Sequence, residues 1–295
     1  MDTTTFIVEV FCITDDFLKE FLQGKRLRAR GPMPTLKDSE VLTIEIVGEF
    51  LGFDEDKTIF WFFRSHYGDW FPALQEIHRT TFCRQAANLW KVKEKLWEYL
   101  LGKIQYDPYI SIIDSFPMPI CRFARANRCR RLREIAEYGY DEVARQFFLG
   151  LRSHLRICWP GVIVDHRLVA ANIHDVPVAV NMLDDVQGYL LGDRNYWNPD
   201  VINQMKMRDL HWIVPYKSAK REKHPWPRYL SHKRYLIETV IGQFVERFNV
   251  KKIWARDAWH LISRWLRKVV THTLAFFLCQ QSGLSPLNFA SLLSV

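Results

Sequence analysis

The sequence predicts an α/β protein in which a mixed five-stranded sheet flanked by helices follows an all-helical N-terminal domain. Three observations predict it. Residues 1–105 repeat their apolar positions at helical spacing. From residue 106 onward, short β-branched runs alternate with helical stretches. The change falls at residues 102–108, which hold Gly102 and Pro108. The expected division is therefore a helical domain over 1–105 and a sheet-bearing domain over 106–295 that includes the C-terminal helices. A chain of 295 residues, 48% apolar and 25% charged, has globular composition, which excludes disordered and low-complexity classes.

In order along the chain, Thr35 or Asp38 can cap a helix through Val41, Leu42, Ile44, Ile46, Val47 and Phe50, ending near Gly52. Residues 58–67 are aromatic enough to be read as buried throughout. A third helix over 80–101 repeats Phe82, Ala86, Leu89, Leu96 and Leu100 on one face. Such a set suits either a DNA reader of the helix-turn-helix kind or a dimerisation cap. Residues 109–113 (YISII) read as a buried strand ending in Asp114. Residues 147–157 and 161–168 read as strands of an antiparallel hairpin turning at Trp159-Pro160-Gly161. A helix over 175–185 leads to a strand over 188–191 that ends in Gly192-Asp193. A helix over 199–207 leads to a strand over 211–215, and a long helix starts near Arg234 and carries Glu238.

No targeting or membrane segment is expected. The apolar run 269–279 is cut by His272 and is far shorter than the roughly 18 residues a span needs, and the N-terminus carries acids where a signal peptide carries bases. Six cysteines without a C-x-x-C or a zinc-type pairing with histidine read as reduced thiols, so the expected location is the cytoplasm. The net charge of +8 is unevenly placed: residues 1–105 hold 14 Lys+Arg against 16 Asp+Glu, leaving 27 against 17 in residues 106–295. One cluster is Arg122, Arg125, Arg128, Arg130, Arg131 and Arg133 without an intervening acid. A second includes Lys220 and Arg221. A third includes Arg247, Lys251, Lys252, Arg264, Arg267 and Lys268. Interleaved with Trp, Tyr and His, these point to a polyphosphate partner, DNA foremost, and arginine's planar fork suits phosphate oxygens. A solvated basic face is the alternative for any one cluster.

Two strands ending in aspartate and a later helix carrying glutamate form an arrangement used by metal-dependent nucleases of the ribonuclease H type. There the first and fourth predicted strands are neighbours, so Asp114 and Asp193 would stand side by side, with Glu238 on a helix against the same sheet edge. Hard carboxylate oxygens suit Mg2+, with Mn2+ as a possible substitute, whereas His or Cys would select zinc. Two such ions about 4 Å apart serve both the attacking and the leaving oxygen of phosphoryl transfer. Each acid also has a plain alternative: a turn or cap for Asp114 and Asp193, and an ion pair with Arg234 for Glu238. His174-Asp175 reads as a helix-start pair near the site. Trp197 reads as a buried aromatic or as a surface on which a displaced base stacks.

The runs DSFPMPIC from Asp114, AANIHD from Ala170, GDRNY from Gly192 and RYLIETV from Arg234 resemble DDE transposases of bacterial insertion sequences. The resemblance is to the insertion-sequence 982 family within the wider group like insertion sequence 4, and it covers most of the chain. It implies a ribonuclease H-like core with Asp114, Asp193 and Glu238 as the metal-binding triad. It implies hydrolysis at transposon ends and attack of the freed 3′-hydroxyl on target DNA. Its partners would be terminal inverted repeats and target DNA, handled by a homodimer or larger assembly associated with the bacterial nucleoid. Arg234 matches an arginine expected to contact phosphate near the active site, and Lys220-Arg221 resembles the family's basic connector. Ser231 and Val245 stand where the wider group's motif has tyrosine and lysine. Two rival functions remain: a non-catalytic DNA-binding protein, and a nuclease or resolvase of the same fold that cuts DNA without joining it.

Overall fold

Asp2 starts the first helix: its carboxylate accepts the Thr5 N–H at 2.6 Å, satisfying one of the donors that a helix start leaves open. The computed structural model describes residues 1–184, 186–215 and 228–293. The chain forms two compact units, Met1–Ile104 with Glu246–Val295, and Gln105–Val245.

The first unit is helical. It contains α1 (Thr3–Leu22), α2 (Asp38–Phe50), α3 (Asp56–His66), α4 (Ala73–Glu76), α5 (Arg79–Asn88) and α6 (Trp90–Leu101). It also contains a long C-terminal helix, Ala258–Gln281, labelled α10 below. Two predicted features differ here. The expected helix over 80–101 is broken at Leu89 into α5 and α6. The Ala86 carbonyl at the break accepts the buried Lys93 ammonium (3.1 Å) and the Ser263 hydroxyl (3.0 Å). In α3, Ile59, Phe60 and Phe63 are buried, but Trp61 is half exposed under the Arg64 guanidinium, 5.3 Å from its ring centroid.

The C-terminal segment, which the sequence assigned to the sheet-bearing domain, packs with the N-terminal helices instead. α10 buries Leu261, Trp265, Leu266, Val269, Val270 and Phe276 there, and a buried charge network accompanies this apolar contact. Glu45 and Glu49 lie on α2, buried on nearly every face, and Asp56 starts α3. Arg267 of α10 donates to Glu49 (2.7 Å) and to Asp56 (2.7 Å). Lys268 donates to Glu49, and Lys93 of α6 to Glu45 (2.8 Å). Burial would raise the Asp56 carboxyl, but Arg267 and Arg264 hold it well below the usual carboxylate range. Part of the third basic cluster is therefore interior: Arg267 and Lys268 are buried, Arg264 pairs with Asp56 at 2.6 Å, and Arg247 donates to the Phe50 carbonyl. These side chains do not face a phosphate.

Among its described residues, the second unit holds six strands where five were expected: β1 (Asp107–Arg122), β2 (Glu137–Asp141), β3 (Gln146–Trp159), β4 (Val162–Ala170), β5 (Gly188–Leu191) and β6 (Leu210–Ile213). The order is β2-β3-β1-β5-β6, with β4 also paired to β3. The predicted hairpin is the β3–β4 pair, antiparallel with Leu155 opposite His166. The extra strand is β2, an edge strand paired to the start of β3. β1 does not stop at Asp114, because residues 115–122 continue the antiparallel ladder with β3. Three helices flank this sheet: α7 (Asp175–Val180), shorter than predicted, α8 (Pro199–Lys206), and α9 (Arg228–Gly242), which starts before Arg234. β1 and β5 run parallel, with Ile110 opposite Tyr189 and Ile112 opposite Leu191. Gly188, at φ +83°, permits this approach, since a Cβ there would lie 2.4 Å from the Tyr109 carbonyl. Ile113, Leu190, Tyr196 and Trp212 join Val178 and Leu183 in the core on the α7 side. Among the described residues no helix is long and apolar enough to cross a membrane.

Replacing Arg267 by Met leaves three buried carboxylates, Glu45, Glu49 and Asp56, with fewer cations. Urea unfolding of the variant is expected to show a loss of about 3–5 kcal/mol; a loss below about 1 kcal/mol would show that the cluster contributes no net stability.

Candidate active site

Strand pairing sets the geometry of the site. Two residues beyond the register pair Ile112–Leu191 come Asp114 and Asp193. Asp114 lies on β1 and Asp193 just past the end of β5, near enough that the charge of Asp193 acts on Asp114. Asp114 is held inside a ladder on one side only, where it pairs with Leu155 of β3. Asp193 follows the end of β5 and caps a single 3-10 turn (Arg194–Tyr196). Its two oxygens accept the Asn195 backbone N–H (2.9 Å) and side-chain amide (3.1 Å).

The electrostatics follow from burial and like charge. Burial and then the neighbouring Asp193 push the Asp114 carboxyl up to about 7, against the Ser115 N–H that it accepts at 2.7 Å; Asp175 adds to the rise and Arg234 opposes it. Asp193 is also raised, by burial and by Asp175, against the hydrogen bond from Asn195 and the charge of Arg234. Carboxyls of this kind are uncomfortable as neighbouring anions and gain from a shared cation.

Behind the pair stands a polar network on β3 and α7. Asp175, the first residue of α7, accepts the Ser115 hydroxyl at 3.2 Å and lies 3.7 Å from Arg152. Arg152 donates in turn to the Ser115 hydroxyl at 3.2 Å. His154 Nε2 is 3.7 Å from Asp175, but burial and then Arg152 push this imidazole down to about 4, so it is neutral near pH 7 and no ion pair forms. The sequence singled out Asp175 but not Ser115 or Arg152. Arginine inside an otherwise buried strand was the available signal.

The third expected acid pairs with a neighbour on its own helix. Glu238 is exposed on α9, and its carboxylate lies 3.8 Å from Arg234, one turn earlier. Among the described residues, no three acidic, His or Cys side chains are close enough to hold a metal ion as they stand. The π-helical turn Gln243–Arg247, which follows α9, meets β1 through Phe244 and Phe116 (ring centroids 6.4 Å apart). Lys233 anchors the start of α9, with the ammonium 3.4 Å from the Trp159 ring centroid. Arg234 is half-buried, and its charge acts on both Asp114 and Asp193. As a donor set, the carboxylates fit a divalent cation of the magnesium class: all are hard oxygens, and the rise at Asp114 is the penalty that a bound cation would remove.

Of the residues expected to contact DNA, Arg122, Arg125, Arg128 and Arg130 are exposed at the end of β1 and in the segment after it. Arg131 donates to the Ile120 carbonyl at 2.8 Å, so it holds its own loop. Lys220 and Arg221 lie outside the described residues. Trp197 is half-buried against the α7-side core, and it lines a cavity of about 790 Å3 together with Asn172, Asp175, Asn195 and Asn198.

Residues 105–256 match the transposase DDE domain family. No curated protein matches the chain. Among solved structures, the chain is similar to the piggyBac transposase in a cryo-EM synaptic complex with hairpin DNA. The TM-score is 0.43 at 10% identity, over 98% of this chain and 78% of that one.

In the metal-free protein, a carboxyl raised to about 7 favours folding while protonated and loses that contribution as pH rises from about 4 through 7. Asp114→Asn is therefore expected to raise stability at pH 8 by about 1 kcal/mol or more, with little change at pH 4. Equal effects at the two pH values in thermal or urea melts would show an ordinary, unperturbed aspartate.

Proposed function

The chain belongs to the transposase DDE domain family, and from that premise we propose that it is an insertion-sequence transposase, of the insertion-sequence 982 kind, that cuts and joins DNA by metal-dependent phosphoryl transfer. The observation that carries the reading is the side-by-side placement of Asp114 and Asp193 at the β1–β5 junction, inside the matched segment.

In this reading the core is ribonuclease H-like, and Asp114, Asp193 and Glu238 would hold two divalent ions, Mg2+ or Mn2+. Bound there, the ions supply Lewis-acid activation of the phosphodiester and of the attacking water or 3′-hydroxyl. Asp114 and Asp193 give the fixed part of the donor set. Glu238 joins when Arg234 leaves it for a DNA phosphate, which exchanges one exposed ion pair at 3.8 Å for a charge-assisted contact next to the reacting strand. Ser115, Arg152 and Asp175 keep β1 and α7 in register behind the acids, so that Asp114 does not swing away from Asp193. The exposed arginines after β1, with Lys220 and Arg221, hold transposon-end and target DNA, and Trp197 is available to an unstacked base. Joining two ends requires at least a dimer.

A second reading is favoured by one observation, that no three acidic, His or Cys side chains among the described residues are close enough to hold a metal ion: a decayed copy that binds DNA without cutting it. Nicking of a transposon-end duplex separates the two. Under the transposase reading, wild type nicks with Mg2+ or Mn2+ and not with chelator, Asp114→Asn loses roughly a hundredfold or more, and a 3′-hydroxyl end is joined to target. Cutting without joined product indicates a nuclease or resolvase. Equal nicking by wild type and variant removes the catalytic assignment.

A further inference from the structure

Between β1 and β3 the chain makes an excursion whose exposed surface is aromatic. Phe123 opens a 3-10 segment (Phe123–Arg128), Tyr138 and Tyr140 lie on β2, and Phe147 lies at the start of β3. All four are exposed, the phenylalanines at 57% and the tyrosines at 42% and 40%. Their rings form a chain of contacts: Tyr138 to Phe123 at 5.7 Å, Phe123 to Phe147 at 5.8 Å, and Phe147 to Tyr140 at 5.0 Å between centroids. The row is braced. Tyr140 and Phe147 are directly opposite in the β2–β3 ladder, and the Tyr138 hydroxyl donates to Asn127 at 3.1 Å. Ala126, Ala136 and Leu149 form a small core that fixes the 3-10 segment to β3.

Four exposed rings held in one row are a poor surface to leave in water. Their surroundings state what covers them. Arg122 and Arg125 lie within two residues of Phe123 and Arg128 ends the same 3-10 segment; all three are exposed, and none of them lies within ion-pair distance of a carboxylate among the described residues. Rings edged by unneutralised arginines match a strand of nucleic acid with its bases turned outward, where each base offers a π-face and each phosphate an anion. A duplex keeps those faces inside its stack and offers only phosphates.

We infer that the Phe123–Tyr138–Tyr140–Phe147 row is a stacking platform for unpaired bases of DNA, bordered by arginines that take the backbone phosphates. This rests on the DNA partner proposed above and not on the catalytic assignment.

The test uses the full chain without divalent metal, and fluorescence anisotropy with labelled oligothymidylate and with a duplex over a salt series. The expected result is that wild type binds both, that the double variant Phe123→Ala/Phe147→Ala loses roughly tenfold or more on oligothymidylate, and that duplex binding and its salt slope stay unchanged. Arg125→Ala/Arg128→Ala should weaken both and flatten the salt dependence. Phe123→Trp/Phe147→Trp retains stacking surface and should retain binding. If the alanine pair does not fold by circular dichroism, the exposed Tyr140→Ala substitution reads the same contact. Unchanged oligothymidylate binding by the folded alanine variants overturns the platform. So does a wild-type dimer that these substitutions dissolve in sedimentation, which would make the row a contact between copies. Because no metal is present, a failed platform leaves the nicking result untouched, and a failed nicking assay leaves the platform untouched.

Discussion

The parallel pairing of β1 with β5 is the constraint on which the site depends. Strand β5 is only four residues long, and its approach to β1 requires Gly188 in a left-handed conformation against the Tyr109 carbonyl. With that register set, Asp114 on β1 and Asp193 just past β5 come close enough for the charge of Asp193 to act on Asp114. Their mutual repulsion is imposed by hydrogen-bonded backbone, which is stiffer than any side-chain preference. Burial, and then the charge of Asp193, push the Asp114 carboxyl up to about 7. The surrounding polar groups complete the picture: Ser115, Arg152 and Asp175 tie the strand to α7, while Arg234 supplies the positive charge that faces both acids.

Much of this was legible in the residues, for physical reasons that differ by element. The β3–β4 hairpin and β5 are apolar runs bounded by turn residues, so periodicity finds them. β2 (EYGYD) escaped because an edge strand with one face turned outward carries no buried run. β1 was cut short at Asp114, since a charged residue looks like a strand end. Only the antiparallel partner β3 explains why the ladder goes on to Arg122. Asp114 and Asp193 were found as a pair by strand ends and spacing. The position of Glu238 was not legible, because i,i+4 pairing with Arg234 is a side-chain choice that a linear pattern leaves open.

Basic residues make the same point about charge. The excess in residues 106–295 reads as a single electrostatic signal, yet the structure divides it into two kinds. Arg122, Arg125 and Arg128 are exposed without acid partners, whereas Arg267 and Lys268 are consumed by Glu49 and Asp56 inside the helical unit. Composition sums the two, and only burial tells them apart. Interior pairs of this kind depend on partners more than 200 residues apart in sequence, Arg267 and Glu49 being separated by 218, so no local window reports them.

That separation bears on how the molecule is made. The acids of α2 emerge from the ribosome long before the cations of α10, and the whole sheet-bearing unit is synthesised between them. Until α10 arrives, Glu49 and Asp56 lack the Arg267 and Lys268 cations that neutralise them in the folded unit, whereas Glu45 already has Lys93. A chain ending ahead of Arg267 would leave Glu49 and Asp56 as buried carboxylates short of their cations, so its N-terminal helices are expected to be less stable than in the full protein.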